Sequence, residues 1–429
     1  MRVSLCIVFF LVACGDVVPC TSAELVEALG NASNGDVVTL AACEFQDVQA
    51  TVPAGVSLVG VAGSRIAGSG DVLVLEAGAS LSNVEVTVSN GRGVVLSPGM
   101  HSLSAVNVNV DGGVGISAVG AEGTWSNVRV EGALDPLRAD AIPPLAAPED
   151  GHFLVVLEDV TIDFIDVGVL QGGPWGVIVQ NSTLHWDEGF VRDVVGTGVY
   201  ASGSTLTMTD VSIENMLQGI QPYPSYGILA TETNFTSDGV EIRGSEGLGL
   251  LADDSSGVQS DLLVESCSFG GAWIQRTSEM QFDRISMMDN GLAGLVSQSS
   301  TLTINEGLIT GTTLQQALHA GDRSVTTGDG VQINDPLGVT IEGLSLTGNE
   351  RVGLVVDLAS QPIANVQVRS LSVEGESLGA LVQQDGTVAR GWDAAVTRDA
   401  TTQTNDTAQS LPLDLVGSLL EDSIPSADR

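Results

Sequence analysis

Aliphatic residues recur along this chain in a triplet with spacing three and then two. Leu81/Val84/Val86 is followed by Leu103/Val106/Val108 and Trp125/Val128/Val130. The same spacing returns at Leu157/Val160/Ile162, Met208/Val211/Ile213, Val264/Cys267/Phe269, Phe282/Ile285/Met287, Ile341/Leu344/Leu346 and Val368/Leu371/Val373. A second signature, a glycine followed by aliphatics, trails the first, as in Gly93-Val94-Val95-Leu96, Gly249-Leu250-Leu251 and Gly353-Leu354-Val355-Val356. Its anchor lies ten residues on at 84/94, 106/116, 240/250, 285/295, 344/354 and 371/381. Alternation of period two predicts strands, and Gly or Asn between them predicts tight corners, with Asn83, Asn127 and Asn181 as corner residues. A unit of 20–30 residues with two or three short strands cannot bury its own apolar face. Stacking such units end on end buries it, each Val, Ile or Leu packing on its counterpart one coil away.

Composition agrees with a long, thin core. Glycine accounts for 52 of 429 residues, aromatic residues make up only 4% and charged residues 16%. The chain is too apolar for disorder, and no lysine occurs in it. Fifteen basic residues face 53 acidic ones, a formal charge of −38. Nucleic acid is excluded as a partner on that balance, because phosphate binding needs clustered cations. A bare anionic membrane surface is disfavoured for the same reason.

Met1-Arg2 and the apolar run Val3–Val12 have the form of an export signal, too short to span a bilayer as a helix. The run ends Leu11-Val12-Ala13-Cys14-Gly15, which resembles the lipobox of bacterial lipoproteins. The resemblance implies cleavage before Cys14, acylation of that residue, and anchoring in the bacterial cell envelope, with the outer membrane or cell surface favoured. Several acyl chains on one residue give stable anchoring. The plain alternative is a secretory signal with Cys14 left as an ordinary thiol. Export permits disulfides. Cys20 and Cys43, flanking a predicted helix and the first strand, are expected to bridge, since a metal pair finds no His or further Cys nearby.

Thr21-Ser22-Ala23-Glu24-Leu25-Val26-Glu27-Ala28-Leu29 has capping-box spacing and resembles the cap helix of right-handed parallel β-helix proteins, the pectin-lyase-like superfamily. Gly35–Leu40 resembles the first strand of that family, and Val52–Gly60 its first full coil. The fold expected is all-β, a right-handed parallel β-helix solenoid of about twelve coils with a short N-terminal capping helix. Residues 1–13 form the signal, 14–20 a tether, 21–387 the β-helix, and 388–429 a C-terminal cap or flexible tail. The fold hosts many unrelated activities.

Insertions are expected at Glu131–Gly151, Asp187–Gly196, Glu214–Tyr226 and Gly311–Gly328, all on one side of the solenoid, where they would wall a groove. Arg138, Asp140, Trp186, Asp187, Arg192, Tyr223, Tyr226, Asp322 and Arg323 are its candidate lining. Trp186 and the tyrosines would stack on sugar rings and the charged groups would bind or act on them. The motifs of polygalacturonases, pectate lyases and alginate epimerases are each broken here; Asp135-Pro136-Leu137, for example, stands where the epimerase pattern has Asp-Pro-His. The reading is therefore a binding or structural module for a polysaccharide or envelope protein, with a divergent polysaccharide lyase, hydrolase or epimerase as the alternative. No motif calls for a cofactor. Ca2+ enters only as the ion that would bridge so acidic a body to a uronate polymer. Cys267, taken to share the slot of Val84 and Val211, is expected to be a core thiol.

Overall fold

In the computed structural model, residues 17–132, 153–218, 225–319, 323–358, 360–375, 378–384, 387–388 and 396–398 are described. They form a parallel β-solenoid of about 15 coils, more than the twelve expected. Cys14 and most of the segment after residue 387 lie outside the described residues.

The chain starts with a cap. Helix α1 (Ser22–Asn31) begins at Thr21, whose hydroxyl accepts from the Glu24 N–H at 3.2 Å and donates to the Glu24 carboxylate at 2.6 Å. Leu25 and Leu29 of α1 are buried and close the open end of the core. A Cys20–Cys43 disulfide ties this cap to the first coils. Closing a loop of this size contributes about 3 kcal/mol by restricting the unfolded chain.

Each coil then passes through three sheets in order, and each sheet stacks in register. In the first, Leu58, Leu81, Leu103, Trp125, Phe164, Trp186 and Met208 lie one above another. In the second, Val86, Val108, Val130, Val169, Val191 and Ile213 do the same. The third stacks Val94, Ile116, Val155, Val177, Val199, Ile228 and Leu250. All these side chains are buried, each contributing roughly 1.5–3 kcal/mol. Between the first two sheets one residue per coil takes a left-handed conformation, among them Asn83 (φ 55), Asn127 (φ 51) and Glu188 (φ 55). Asn181 (φ 50) does so at the corner after the third sheet. Asparagine visits this region at least cost among residues with a side chain.

The register shows why the repeat was undercounted. One coil places Phe164/Val167/Val169 where the sequence suggested Leu157/Val160/Ile162. The next carries Trp186/Gly189/Val191, which hides the triplet behind a central glycine. A Cβ on Gly189 would meet Trp186 Nε1 at 2.5 Å, so the indole fills the space a valine takes elsewhere. Two further coils put Ser237 and Gln259 at the buried first position. They satisfy each other: Ser237 Oγ donates to Gln259 Oε1 at 2.5 Å, and Gln259 Nε2 donates to the Phe235 carbonyl at 2.6 Å. Asp187–Gly196 is consequently no insertion but ordinary ladder, with Asp187 opposite Ile165 and Val191 opposite Val169.

Cys267 is buried, and burial pushes its thiol up to about 12, but its slot differs from the one expected. Val264 pairs with Met287, so Cys267 falls three residues past that ladder position and beyond the strand's end at Glu265, at a corner. There Asn290 Oδ1 accepts from the Cys267 N–H at 2.9 Å while its Nδ2 donates to the Val264 carbonyl at 3.0 Å. Asn349 repeats this two coils on, bonding the Thr312 N–H at 3.2 Å and the Ile309 carbonyl at 3.3 Å. A hydroxyl stack serves the corner after the third sheet. Val160 N–H donates to Ser182 Oγ, Ser182 N–H to Ser204 Oγ, Thr233 N–H to Ser255 Oγ and Ser255 N–H to Ser278 Oγ, all at 3.0–3.1 Å. Buried corner amides thus find partners one coil away.

The recurrent glycine marks the turn into the third sheet. A Cβ on Gly227 would meet the Gly249 carbonyl at 2.5 Å, one on Gly249 the Gly271 carbonyl at 2.6 Å, and one on Gly271 the Gly294 carbonyl at 2.3 Å. Leu154 takes this slot in one coil, and Gly132 and Gly172 beside it leave room, since a Cβ on either would lie under 3 Å from the leucine side chain. Replacing Gly249 with Ala puts a methyl 2.3 Å from Val264 Cγ1 and 2.6 Å from backbone. Such overpacking costs about 1–3 kcal/mol. Gly249→Ala should lower the urea midpoint accordingly, whereas Gly30→Ala, with nothing within 4 Å, should not.

Candidate functional site

The candidate residues read from sequence fall on different sheets of the coil and on different sides of its strands. Trp186 points inward: it is 1% exposed, packed edge-on against Phe164 at 5.4 Å, and cannot stack on a ligand. Asp187 is exposed on the first sheet. Arg192 lies on the second, paired with Glu214 at 3.2 Å and with its guanidinium 4.7 Å from the centre of the Phe190 ring. Tyr226 is on the third sheet and buried. Arg323 opens the second strand of a two-stranded antiparallel hairpin, Gln315–His319 with Arg323–Thr327. Arg138, Asp140, Tyr223 and Asp322 lie outside the described residues. Of the described members, no two of Trp186, Asp187, Arg192 and Tyr226 share an outer face, because a strand sends neighbouring side chains to opposite sides and each coil turns between sheets.

What the fold does concentrate is the outer face of the third sheet. In three coils the connection from the second sheet into the third is lengthened, from Gly132 to Phe153, from Glu214 to Tyr226 and from Thr310 to Asp329, against Gly172 to Trp175 in an ordinary coil. All three therefore join the same edge. The strands of this sheet are apolar on both sides. In Trp175–Gln180, Val177 and Val179 belong to the interior core, while Ile178 joins a separate cluster with Trp175, Tyr200, Tyr226, Leu229, Leu251 and Trp273. The rings of Trp175 and Tyr200 lie 5.2 Å apart. One outward column runs Ile178, Tyr200, Leu229, Leu251, Trp273, Val296 and Gln332 from coil to coil.

Polar groups border this strip. On the leading edge Asp329 is fully buried and accepts from Arg351 Nε at 2.6 Å, from Arg351 Nη2, and from Gln332 Nε2 at 2.7 Å. Gln332 Nε2 also reaches Thr327 Oγ1 at 3.0 Å, and Thr327 Oγ1 donates to the Leu292 carbonyl at 2.6 Å. Burial raises the Asp329 carboxyl above the ordinary range, opposed by the Arg351 bonds. On the trailing edge Asp253 takes Arg276 Nε at 2.5 Å, and burial again raises its carboxyl. A row of Asp253, Gln275, Gln298, Asn334 and Asp357 continues that edge. Among the described residues no group of three or more His, Cys, Asp or Glu is placed to hold a metal ion.

These residues were missed in the sequence for two reasons. Runs such as Val177-Ile178-Val179 and Leu354-Val355-Val356 lack alternation, the mark of a strand buried on both faces. The ion pairs follow the coil period: Asp71/Arg92, Asp253/Arg276 and Asp329/Arg351 are 21–23 residues apart. An arginine one coil after an aspartate was the available signal.

A family model described as "Right handed beta helix region" matches residues 198–390. Among solved structures, the chain is similar to the A-module of the Azotobacter vinelandii mannuronan C-5 epimerase AlgE6, with 12% identity, 90% of this chain and 95% of that chain covered, and a TM-score of 0.36. It is similar to the periplasmic alginate epimerase AlgG at 11% identity, with coverage of 88% and 81% and a TM-score of 0.35. The Yersinia enterocolitica family 28 exopolygalacturonase matches at 9% identity, with coverage of 89% and 76% and a TM-score of 0.26. No curated protein matches the sequence.

The two kinds of ion pair should differ in worth. Arg351→Ala leaves a fully buried Asp329 without its cation, a change that costs about 3–5 kcal/mol. Arg65→Ala breaks a pair that is 56% and 31% exposed, worth about 1 kcal/mol or less. Urea unfolding of the two variants at one salt concentration checks the ordering.

Proposed function

We propose that this chain is an exported, lipid-anchored β-helix protein of the bacterial cell envelope that binds an extended glycan or protein chain along the outer face of its third sheet. The observation that carries the reading is the aromatic-rich apolar strip with polar borders on that face, into whose leading edge three lengthened connections run. Ligand sites of this kind combine apolar area with a few placed polar groups. A face that repeats every coil also suits a partner that repeats. The Leu11–Gly15 segment supports the anchor, and the Cys20–Cys43 disulfide is consistent with an oxidising compartment. No described helix is long and apolar enough to cross a membrane.

One observation favours a second reading, a divergent polysaccharide lyase, hydrolase or epimerase on the same face. Asp253 and Asp329 both border it, and both carboxyls are raised by burial, the direction in which acid catalysts are tuned.

Incubation of the purified chain with neutral and uronate polysaccharides, with and without Ca2+, separates the readings. Retention on a polysaccharide with unchanged product masses is the expected result. New oligosaccharides would transfer the assignment to the enzyme, and no retention on any polymer would remove the glycan as partner. The anchor is tested separately: labelled palmitate should enter the wild type in the bacterial host and not Cys14→Ala, and equal labelling would remove it.

A further inference from the structure

The first rungs of the first sheet present an outer face without charge. One outward column runs Val17, Thr39, Val59, Ser82 and Ser104, and the column beside it runs Val37, Ser57, Ser80 and Ser102. The face is open: Val17 is 54% exposed, Val37 56% and Met100, two residues before Ser102 on the same strand, 59%. Exposed valines are ordinary by themselves. An unbroken neutral face is not, on a body of charge −38. The second sheet carries Glu44, Arg65 and Glu85 in the same coils. Farther along, the first sheet itself turns acidic, at Glu122, Asp163 and Asp187.

This face also lies next to the lipidation position. Cys14 precedes Val17 by three residues, a reach of at most about 11 Å. Val17 itself is held in place: its strand, Val17–Val18, pairs with Val37–Leu40, and the Cys20–Cys43 disulfide fixes the chain just beyond. We infer that the partner of this face is the bilayer that holds the Cys14 lipid, and that the face rests on its phospholipid headgroups, an inference that depends on the lipid-anchor reading of Cys14. An anionic leaflet repels acids within about one Debye length, roughly 8 Å, so a neutral face can lie against it where an acidic one cannot. Serine and threonine hydroxyls donate to phosphate and ester oxygens. Val17, Val37 and Met100 meet the apolar side of the headgroup layer. The contact extends about 19 Å along the axis, four rung spacings. Beyond it Glu122, Asp163 and Asp187 turn the solenoid away from the surface. A second copy is disfavoured as occupant, since two bodies of charge −38 repel each other while the tether brings only lipid within reach.

The test uses the full chain, purified from a bacterial host with its lipid and reconstituted in vesicles of phosphatidylcholine and phosphatidylglycerol that contain a nitroxide-headgroup lipid. A maleimide fluorophore is placed at Ser102→Cys or at Asn107→Cys, exposed positions of one strand that lie on the first and second sheets. The native cysteines do not compete among the described residues, because Cys267 is buried and Cys20 and Cys43 are bonded to each other. The Ser102 label should be quenched roughly threefold more strongly than the Asn107 label, because only the first lies within reach of the headgroups. Flotation of the protein with vesicles and equal quenching at the two positions overturns the resting face and leaves the anchor standing. Energy transfer between labelled copies at Ser102, without quenching by lipid, assigns the face to a second copy and removes the bilayer. Failure of the wild type to float removes the anchor and this inference together.

Discussion

In-register stacking of one coil on the next is the constraint from which the rest of this protein follows. The parallel ladder fixes every residue opposite its counterpart roughly 4.8 Å away. A side chain is therefore judged mainly by whether it tolerates its own kind above and below. Valine, isoleucine and leucine do, which is how a core can be built with aromatic residues at 4% of the chain. The glycine column is the strictest case, because successive backbones pass at carbonyl contact distance there. Larger residues enter with compensation from small residues beside them, as Leu154 does beside Gly132 and Gly172, and Trp186 beside Gly189 of its own coil.

The same rule governs polar groups. Corners cannot close their own hydrogen bonds, so Ser182, Ser204, Ser255 and Ser278 pass them along the axis, and Asn290 and Asn349 clamp one coil to the next. Arginines act in a related way on the surface. Arg92, Arg276, Arg284 and Arg351 each grip an aspartate one coil away. With 15 basic residues against 53 acidic ones, this use of cations leaves the surplus acid facing solvent. The solenoid is thus stapled by its few cations, and its long-range field is that of its acids.

Against this background the outer face of the third sheet stands apart. The strands of the first and second sheets alternate, with polar residues outward, whereas those of the third are buried on both sides. The lengthened connections enter at its leading edge because a coil can lengthen at a corner without disturbing the ladder. Apolar area, neutral hydrogen-bonding groups and closed ion pairs meet there over a strip that runs through many successive coils.

Legibility in the sequence followed the same division. Class, coil logic, cap helix, corner asparagines and the Cys20–Cys43 bridge were readable, since each depends on spacing along the chain or on a short motif. The repeat blurred where Gln259, Ser237 or Gly189 occupied a ladder slot, because a triplet template recognises only aliphatics. The site was not readable. Trp186 and Asp187 are neighbours in sequence and lie on opposite sides of a strand, while Trp273 and Gln332, 59 residues apart, share a column. The sequence by itself determined that the chain is a stacked coil, because stacking is enforced locally in every repeat. Which residues face outward together was decided only by the tertiary structure, because insertions of unequal length shift the register between distant coils and only the folded ladder aligns them.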